Sequence, residues 1–244
     1  MSSALQQHRA MATQPHDGTP YTTTVSLRPI AAPSILGLFG FSGATLIVAA
    51  HMAGWYGGSK TDLYVFPFAA FFGGLAQFAA GMWSYRARDG LATAMHGMWG
   101  SFWMAFGVLN LLFATGSLTE PKGAFPALGF WFIPLAAITW SGALAALGES
   151  LGLFAVLATL ATGSTIAAPA LWTGSAGWEK VAGWVFVFSA GFAWYVATAM
   201  MLAATAGKTI LPLGKYKRAA NVPGERPVHP IQLEWAEPGV KMGQ

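Results

Sequence analysis

Residues Phe71–Trp103, FFGGLAQFAAGMWSYRARDGLATAMHGMWGSFW, hold the end of one apolar run, a short basic turn and the start of a second apolar run. The turn is marked by Tyr85, Arg86, Arg88 and Asp89. The runs on either side are crowded with Gly, Ala and aromatic side chains, which let two backbones approach closely where lipid supplies no hydrophobic drive between helices. The stretch therefore predicts an antiparallel pair of membrane-spanning helices, and the rest of the chain is ordered around that hairpin.

Composition agrees. Of 244 residues, 55% are hydrophobic and only 9% charged, outside the range of soluble domains. A bilayer core of about 30 Å needs about 20 helical residues. By that measure spans are expected at about 35–56, 63–84, 93–115, 125–147, 151–169 and 181–205, which makes an all-α integral membrane protein of six transmembrane helices. The fifth run is diluted by Thr159, Thr162, Ser164 and Thr165, and Pro169 is expected to end it. Residues 1–31 read as a mobile N-terminal tail, 32–207 as the transmembrane domain, and 208–244, basic and proline-rich, as a second tail.

Orientation follows from the cations, since Lys and Arg resist translocation. With both tails inside, ten of the thirteen lie inside: Arg9, Arg28, Arg86, Arg88, Lys208, Lys215, Lys217, Arg218, Arg226 and Lys241. Lys60, Lys122 and Lys180 lie outside, each near an acid. The expected location is a cell membrane, plasma or bacterial inner, with both termini cytoplasmic. The net charge of +4 is a topology signal, with no nucleic-acid patch.

No Asp, Glu, Lys or Arg falls well inside an expected span. Intramembrane charges are costly and mark ion or proton relays, so a pump built on a buried carboxylate and a retinal protein with a mid-span lysine are both disfavoured. The chain has no cysteine. No metal cluster, cofactor or nucleophile and base pair can be assembled from these runs, so neither a cofactor nor an enzyme is expected.

The polar groups left within the spans are few. His51 is placed about 22 Å from the inner end of the first span and His96 within about one turn of the inner end of the third, too different in depth to ligate one haem. His51 is the first candidate for a group that titrates along a path. Thr45, Gln77, Asn110, Thr139, Ser141, Ser189, Tyr195 and Thr198 can donate to a small anion or join helices, and joining is the commoner role. Thr45, Gln77, Tyr195 and His51 are the polar candidates for lining a path. Gly37, Gly40, Gly43, Gly73, Gly74 and Gly81 permit close helix contact within or between subunits. Trp55, Tyr56, Trp172 and Trp178 fall at outer ends, where amphipathic rings form a belt. Gly37-Leu38-Phe39-Gly40, Gly97-Met98-Trp99-Gly100 and Gly152-Leu153-Phe154-Ala155 recur near the inner start of the odd-numbered spans, a weak repeat of helical hairpins of the kind seen in transporters.

Taken in order, Pro33-Ser34-Ile35-Leu36-Gly37-Leu38-Phe39-Gly40-Phe41, His51 with Gly54, Phe72-Gly73-Gly74-Leu75-Ala76-Gln77, Ala80-Gly81, Tyr85, Gly100-Ser101-Phe102-Trp103 and Gly207-Lys208-Thr209-Ile210-Leu211-Pro212-Leu213-Gly214 resemble the acetate uptake transporter family. That family includes bacterial acetate/succinate permeases and yeast acetate/ammonium plasma-membrane proteins. The resemblance implies a homo-oligomer, a hexameric ring of six-helix protomers, each with an hourglass path for small monocarboxylates. It also implies a hydrophobic waist of a Phe, a Tyr and a Leu, matched here by Phe41, Trp99 and Leu160. The internal repeat would instead make Phe39, Trp99 and Phe154 equivalent. Four positions depart from the family pattern: Ala32 and Ile35 replace an Asn and a Pro of the opening motif, Ser84 replaces an acid before the hairpin Tyr, and Trp99 replaces the waist Tyr.

A carboxylate crossing such a waist must shed water, and an unpaired buried anion tends to neutralise by taking a proton. The expected function is therefore a transporter or channel for acetate-like monocarboxylates, moving with a proton, its partners being the small acid and the bilayer. The alternatives are a passive path for another small solute such as ammonia, and a non-transporting membrane assembly protein.

Overall fold

The computed structural model describes residues 30–58 and 61–215. Among the described residues, six helices are long and apolar enough to cross a membrane. They are α1 (Pro33–Met52), α2 (consecutive segments Thr61–Phe68, Ala69–Ala76 and Gln77–Ala87), α3 (Gly90–Ala114), α4 (Pro126–Ala146), α5 (Leu151–Thr173) and α6 (Ala176–Ala206). Residues 1–29, 59–60 and 216–244, with most of both expected tails and the cations Arg9, Arg28, Lys60, Lys217, Arg218, Arg226 and Lys241, lie outside the described residues.

The helices form a ring in sequence order. α1 packs on α2, α2 on α3, α4 on α5 and α5 on α6, and α6 returns to α1, while α3 and α4 meet over a shorter stretch. Glycine sets the closeness of these contacts. A Cβ on Gly81 would stand 2.7 Å from the Gly97 backbone nitrogen, one on Gly100 2.6 Å from that of Phe78, and one on Gly183 2.6 Å from that of Ala53. Backbone thus lies on backbone at the α2–α3 and α1–α6 seams, the packing that small residues permit in lipid. Gly37, Gly40, Gly73 and Gly81 all spend their missing side chains inside the protomer, against His96, the Phe72 carbonyl, Ala44 and Gly97 respectively.

The founding hairpin is tighter than its sequence suggests. Tyr85 and Arg86 complete the last turn of α2, and only Arg88 and Asp89 separate the helices. Arg88 takes a left-handed conformation with φ 55°, and the Asp89 carboxylate then accepts from Ala92 N at 2.9 Å, capping α3. Within α2, Ala69–Ala76 is a π-helical segment. Pro67, two residues before it, lacks an N–H and crowds a carbonyl of the preceding turn, and Gly73 and Gly74 let the backbone widen.

Two expected boundaries move. α5 runs through Pro169 to Thr173 and stops at Gly174, whose φ of 64° suits a glycine cap. Its hydroxyls do not dilute the helix: those of Thr159, Thr162, Ser164 and Thr165 donate to carbonyls of the preceding turn, at 2.6, 2.8, 2.9 and 2.8 Å. At the other end of the chain, the segment after α6 folds back as far as Lys215 instead of departing at Lys208. Gly152 N donates to Leu213 O at 2.9 Å and Leu151 N to Gly214 O at 3.1 Å, so Leu213 and Gly214 satisfy amides that the first turn of α5 leaves open. Tyr195 Oη ties the same strap by donating to Pro212 O at 2.7 Å.

Candidate waist and polar junction

Phe41 lies eight residues after the start of α1, Trp99 nine after that of α3, and Leu160 nine after that of α5. At 1.5 Å per residue these depths are about 12, 14 and 14 Å, so the three side chains share one level more closely than expected helix ends allowed. All three are buried, between 2% and 3% exposed, and belong to one continuous apolar cluster. Phe39 and Phe154, the alternatives offered by the internal repeat, are only half-buried.

Aromatic rings carry this layer across the bundle. The Phe41 and Trp99 centroids stand 6.3 Å apart, Trp99 and Phe102 5.3 Å and Phe102 and Phe132 5.6 Å, all edge to face, and Phe132 and Phe186 6.5 Å with the rings tilted by 45°. The series links α1, α3, α4 and α6, and edge-to-face pairing is the favoured geometry of such rings. The centre at this level is thus closed by apolar side chains. One to three turns beyond Trp99 along α3, between α3 and α4, lies an apolar hollow of about 80 Å³ lined by Phe102, Ala105, Phe106, Leu109, Leu128 and Trp131.

Trp99 is held by more than packing. Its Nε1 donates to Thr139 Oγ1 at 3.1 Å, and the Thr139 hydroxyl donates to Leu135 O at 2.6 Å. The donor that the indole brings is therefore engaged within the protein, and the ring presents carbon to the centre. Ser42 Oγ to Ala190 O (2.8 Å) joins α1 to α6, and Ser189 Oγ to Val156 O (2.9 Å) joins α6 to α5. Joining helices is thus the role of several polar groups within spans, as their chemistry suggested.

The polar candidates for a path part company. Thr45 and Gln77 are buried, and Thr45 Oγ1 and Gln77 Oε1 have no hydrogen-bond partner within the protein. His96 Nδ1 and Trp103 Nε1 share that condition, and Trp103 was not singled out as a candidate from the sequence. His51 stands in the last turn of α1, which ends at Met52 instead of near Tyr56, and its Nδ1 lies 3.0 Å from the Tyr56 carbonyl oxygen. Tyr195 gives its hydroxyl to the strap. Neither His51 nor Tyr195 is at the level of Phe41, Trp99 and Leu160. Trp55, Tyr56, Trp172 and Trp178 are at least 36% exposed, at the end of the bundle opposite the Asp89 and Ser150 helix caps.

Six apolar helices closed into a ring, with a glycine-welded half and a buried aromatic layer free of Asp, Glu, Lys and Arg, define a multi-pass membrane protein. The chain belongs to the GPR1/FUN34/yaaH family, whose sequence profile matches residues 16–215. It is similar to the succinate-acetate/proton symporter SatP of Escherichia coli, at 27% identity over 196 residues, covering 76% of this chain and 96% of that one. It is similar also to ammonia transport outward protein 2 of Saccharomyces cerevisiae, at 28% identity over 174 residues, covering 69% and 61% of the two chains. Among solved structures, the bacterial acetate channel SatP superposes with a TM-score of 0.69 at 26% identity, covering 76% of this chain and 99% of that chain.

Proposed function

We propose that this protein is a transporter, and not an enzyme, that moves acetate and similar small monocarboxylates across a cell membrane with an accompanying proton. The observation that carries the reading is the level, buried layer of Phe41, Trp99 and Leu160 in a ring of six helices, with no charged side chain at that height. A bare carboxylate cannot cross such a layer cheaply, whereas a neutral small acid can. The hollow beside Phe102 is where an acid waits on one side of the waist, and Thr45 and Gln77 line the polar side of the path. The names of the bacterial relative and of the solved neighbour support acetate as the substrate class.

The same proposal includes both termini inside and a ring of six copies. Arg86, Arg88, Lys208 and Lys215 are exposed at one end of the bundle, which favours that end as cytoplasmic. Large outward side chains such as Phe130, Leu144 and Trp194 suit lipid or neighbouring copies. The test is uptake by proteoliposomes of labelled acetate and, separately, of ammonium. Saturable acetate uptake with little ammonium flux supports the proposal. Ammonium flux without acetate flux favours the reading suggested by the yeast relative, a path for ammonia.

A further inference from the structure

Among the described residues, four buried polar atoms have no hydrogen-bond partner: Thr45 Oγ1, Gln77 Oε1, His96 Nδ1 and Trp103 Nε1. Their residues are each at most 5% exposed, and all belong to α1, α2 or α3. Orphaned atoms in one region, each costly alone, point to something that hydrogen-bonds them together.

Their arrangement follows from one face of α1. Gly37, Gly40 and Ala44 recur at helical spacing along that face. A Cβ on Gly37 would meet the His96 ring at 2.5 to 2.6 Å, and one on Gly40 would meet the Phe72 carbonyl oxygen and, at 3.6 Å, Gln77 Cβ. Ala44 Cβ meets Gly73, and a Cβ on Gly73 would in turn lie 2.9 Å from Trp103 Cδ1, the ring atom bonded to Nε1. Thr45 follows Ala44 in the chain. His96, Gln77 and Trp103 thus succeed one another along α1 over seven residues, about 10 Å, and Thr45 stands at the far end on the neighbouring face of α1, one turn beyond Phe41. This column passes the level of Phe41 and Trp99, flanking it from one side of the waist to the other.

We propose that the junction of α1, α2 and α3 binds a file of water molecules on these four side chains, and that the file carries protons past the aromatic layer. A buried water needs two to four polar partners, and both donors and acceptors are present here for waters that themselves donate and accept. The indole N–H donates, the Gln77 oxygen accepts, and the Thr45 hydroxyl and the imidazole can do either. A proton entering at one end is passed by successive hydrogen-bond exchange, with no net bond made or broken and no other reactant. His96 is the one titratable side chain in the file. α1 contributes no other than His51 in its last turn, α2 has Asp62, Tyr64, Tyr85 and Arg86 only near its ends, α3 has Asp89 at its cap, and α4 has none. The use made of the file rests on the transport reading above, but its presence does not.

The indole protons test its presence directly. Trp99 Nε1 is bonded to Thr139, whereas Trp103 Nε1 is unpartnered, and both rings are equally buried. In wild-type protein labelled at indole nitrogen, NMR after transfer to deuterated buffer is expected to show Trp103 exchanging about a hundredfold faster than Trp99. Equally slow exchange overturns the proposal. Its use is tested with His96→Phe in vesicles carrying a pH dye. Valinomycin-driven proton uptake in the absence of acid is expected to fall about tenfold, while exchange of labelled acetate changes less than about twofold. Unchanged proton uptake in a variant that still exchanges acetate removes the proton route. Loss of acetate exchange in the wild type would instead count against the transport reading alone.

Discussion

The indole nitrogen of Trp99 donates to the hydroxyl of Thr139 across the α3–α4 seam at 3.1 Å, in a site where Thr139 has no exposed surface. The hydroxyl in turn donates a hydrogen bond to Leu135 O. This pair fixes the orientation of the largest ring in the buried layer of Phe41, Trp99 and Leu160, and it does so at the seam where α3 and α4 otherwise touch least. In the proposed path, a ring held this way would narrow the centre without offering a donor to what passes.

Thr139→Val keeps the shape of the side chain and removes the acceptor. The buried Trp99 N–H is then unsatisfied, a loss of about 1–3 kcal/mol. A lower thermal midpoint in detergent and a relaxed preference among small acids are expected, whereas Thr139→Ser should retain most of both. An unchanged midpoint and selectivity in Thr139→Val would show that the bond does not position the ring.

Gly81 and Gly97 face each other, yet they are not equivalent. A Cβ on Gly81 would stand 2.7 Å from the Gly97 nitrogen, but one on Gly97 would meet only Met82 Cε at 3.9 Å. Gly81→Ala should therefore force α2 from α3 and cost about 1–3 kcal/mol, as overpacking does. Gly97→Ala should be neutral or gain up to about 1 kcal/mol of helix propensity. Detergent melting curves of the two variants separate the cases, and equal behaviour would contradict the asymmetry.

Tyr195→Phe removes the one side-chain hydrogen bond to Pro212 in the strap and should cost about 1 kcal/mol. Protease cleavage between residues 206 and 215 should be faster than in the wild type, with acetate flux little changed. A large loss of flux with no change in cleavage would return Tyr195 to the path.

Carriage of the acid with its proton gives a definite sign with pH. Carboxyl groups titrate at about 4, so lowering external pH from 7 towards 5 raises the protonated fraction roughly tenfold per unit. Initial acetate uptake should rise over that range and alkalinise the medium. A flat profile would favour passage of the anion.

Much of this architecture was legible from spacing. Six apolar runs and the basic hairpin need only length and polarity to be read, and each is found close to where it was expected. The cases that were not legible depend on partners distant in sequence. Pro169 ordinarily ends a helix, and nothing in the sequence announces that α5 continues past it to Gly174. Leu213 and Gly214 read as the start of a tail because the amides they satisfy belong to Leu151 and Gly152. Trp103 reads as one more packing ring, because whether its N–H finds an acceptor is decided by three helices at once. Gly37, Gly40 and Gly73 were legible as close-contact positions, although the sequence did not say that their partners lie within the protomer.

The central claim is that Trp99 bounds the narrowest part of the path, and Trp99→Ala tests it most directly. Fluxes of labelled acetate and of a bulkier acid such as benzoate are measured in proteoliposomes at equal, verified protein orientation and amount. The account predicts that the bulkier acid gains at least about tenfold relative to acetate, equivalent to about 1.4 kcal/mol of barrier. Unchanged flux and unchanged preference in a folded Trp99→Ala protein would contradict it.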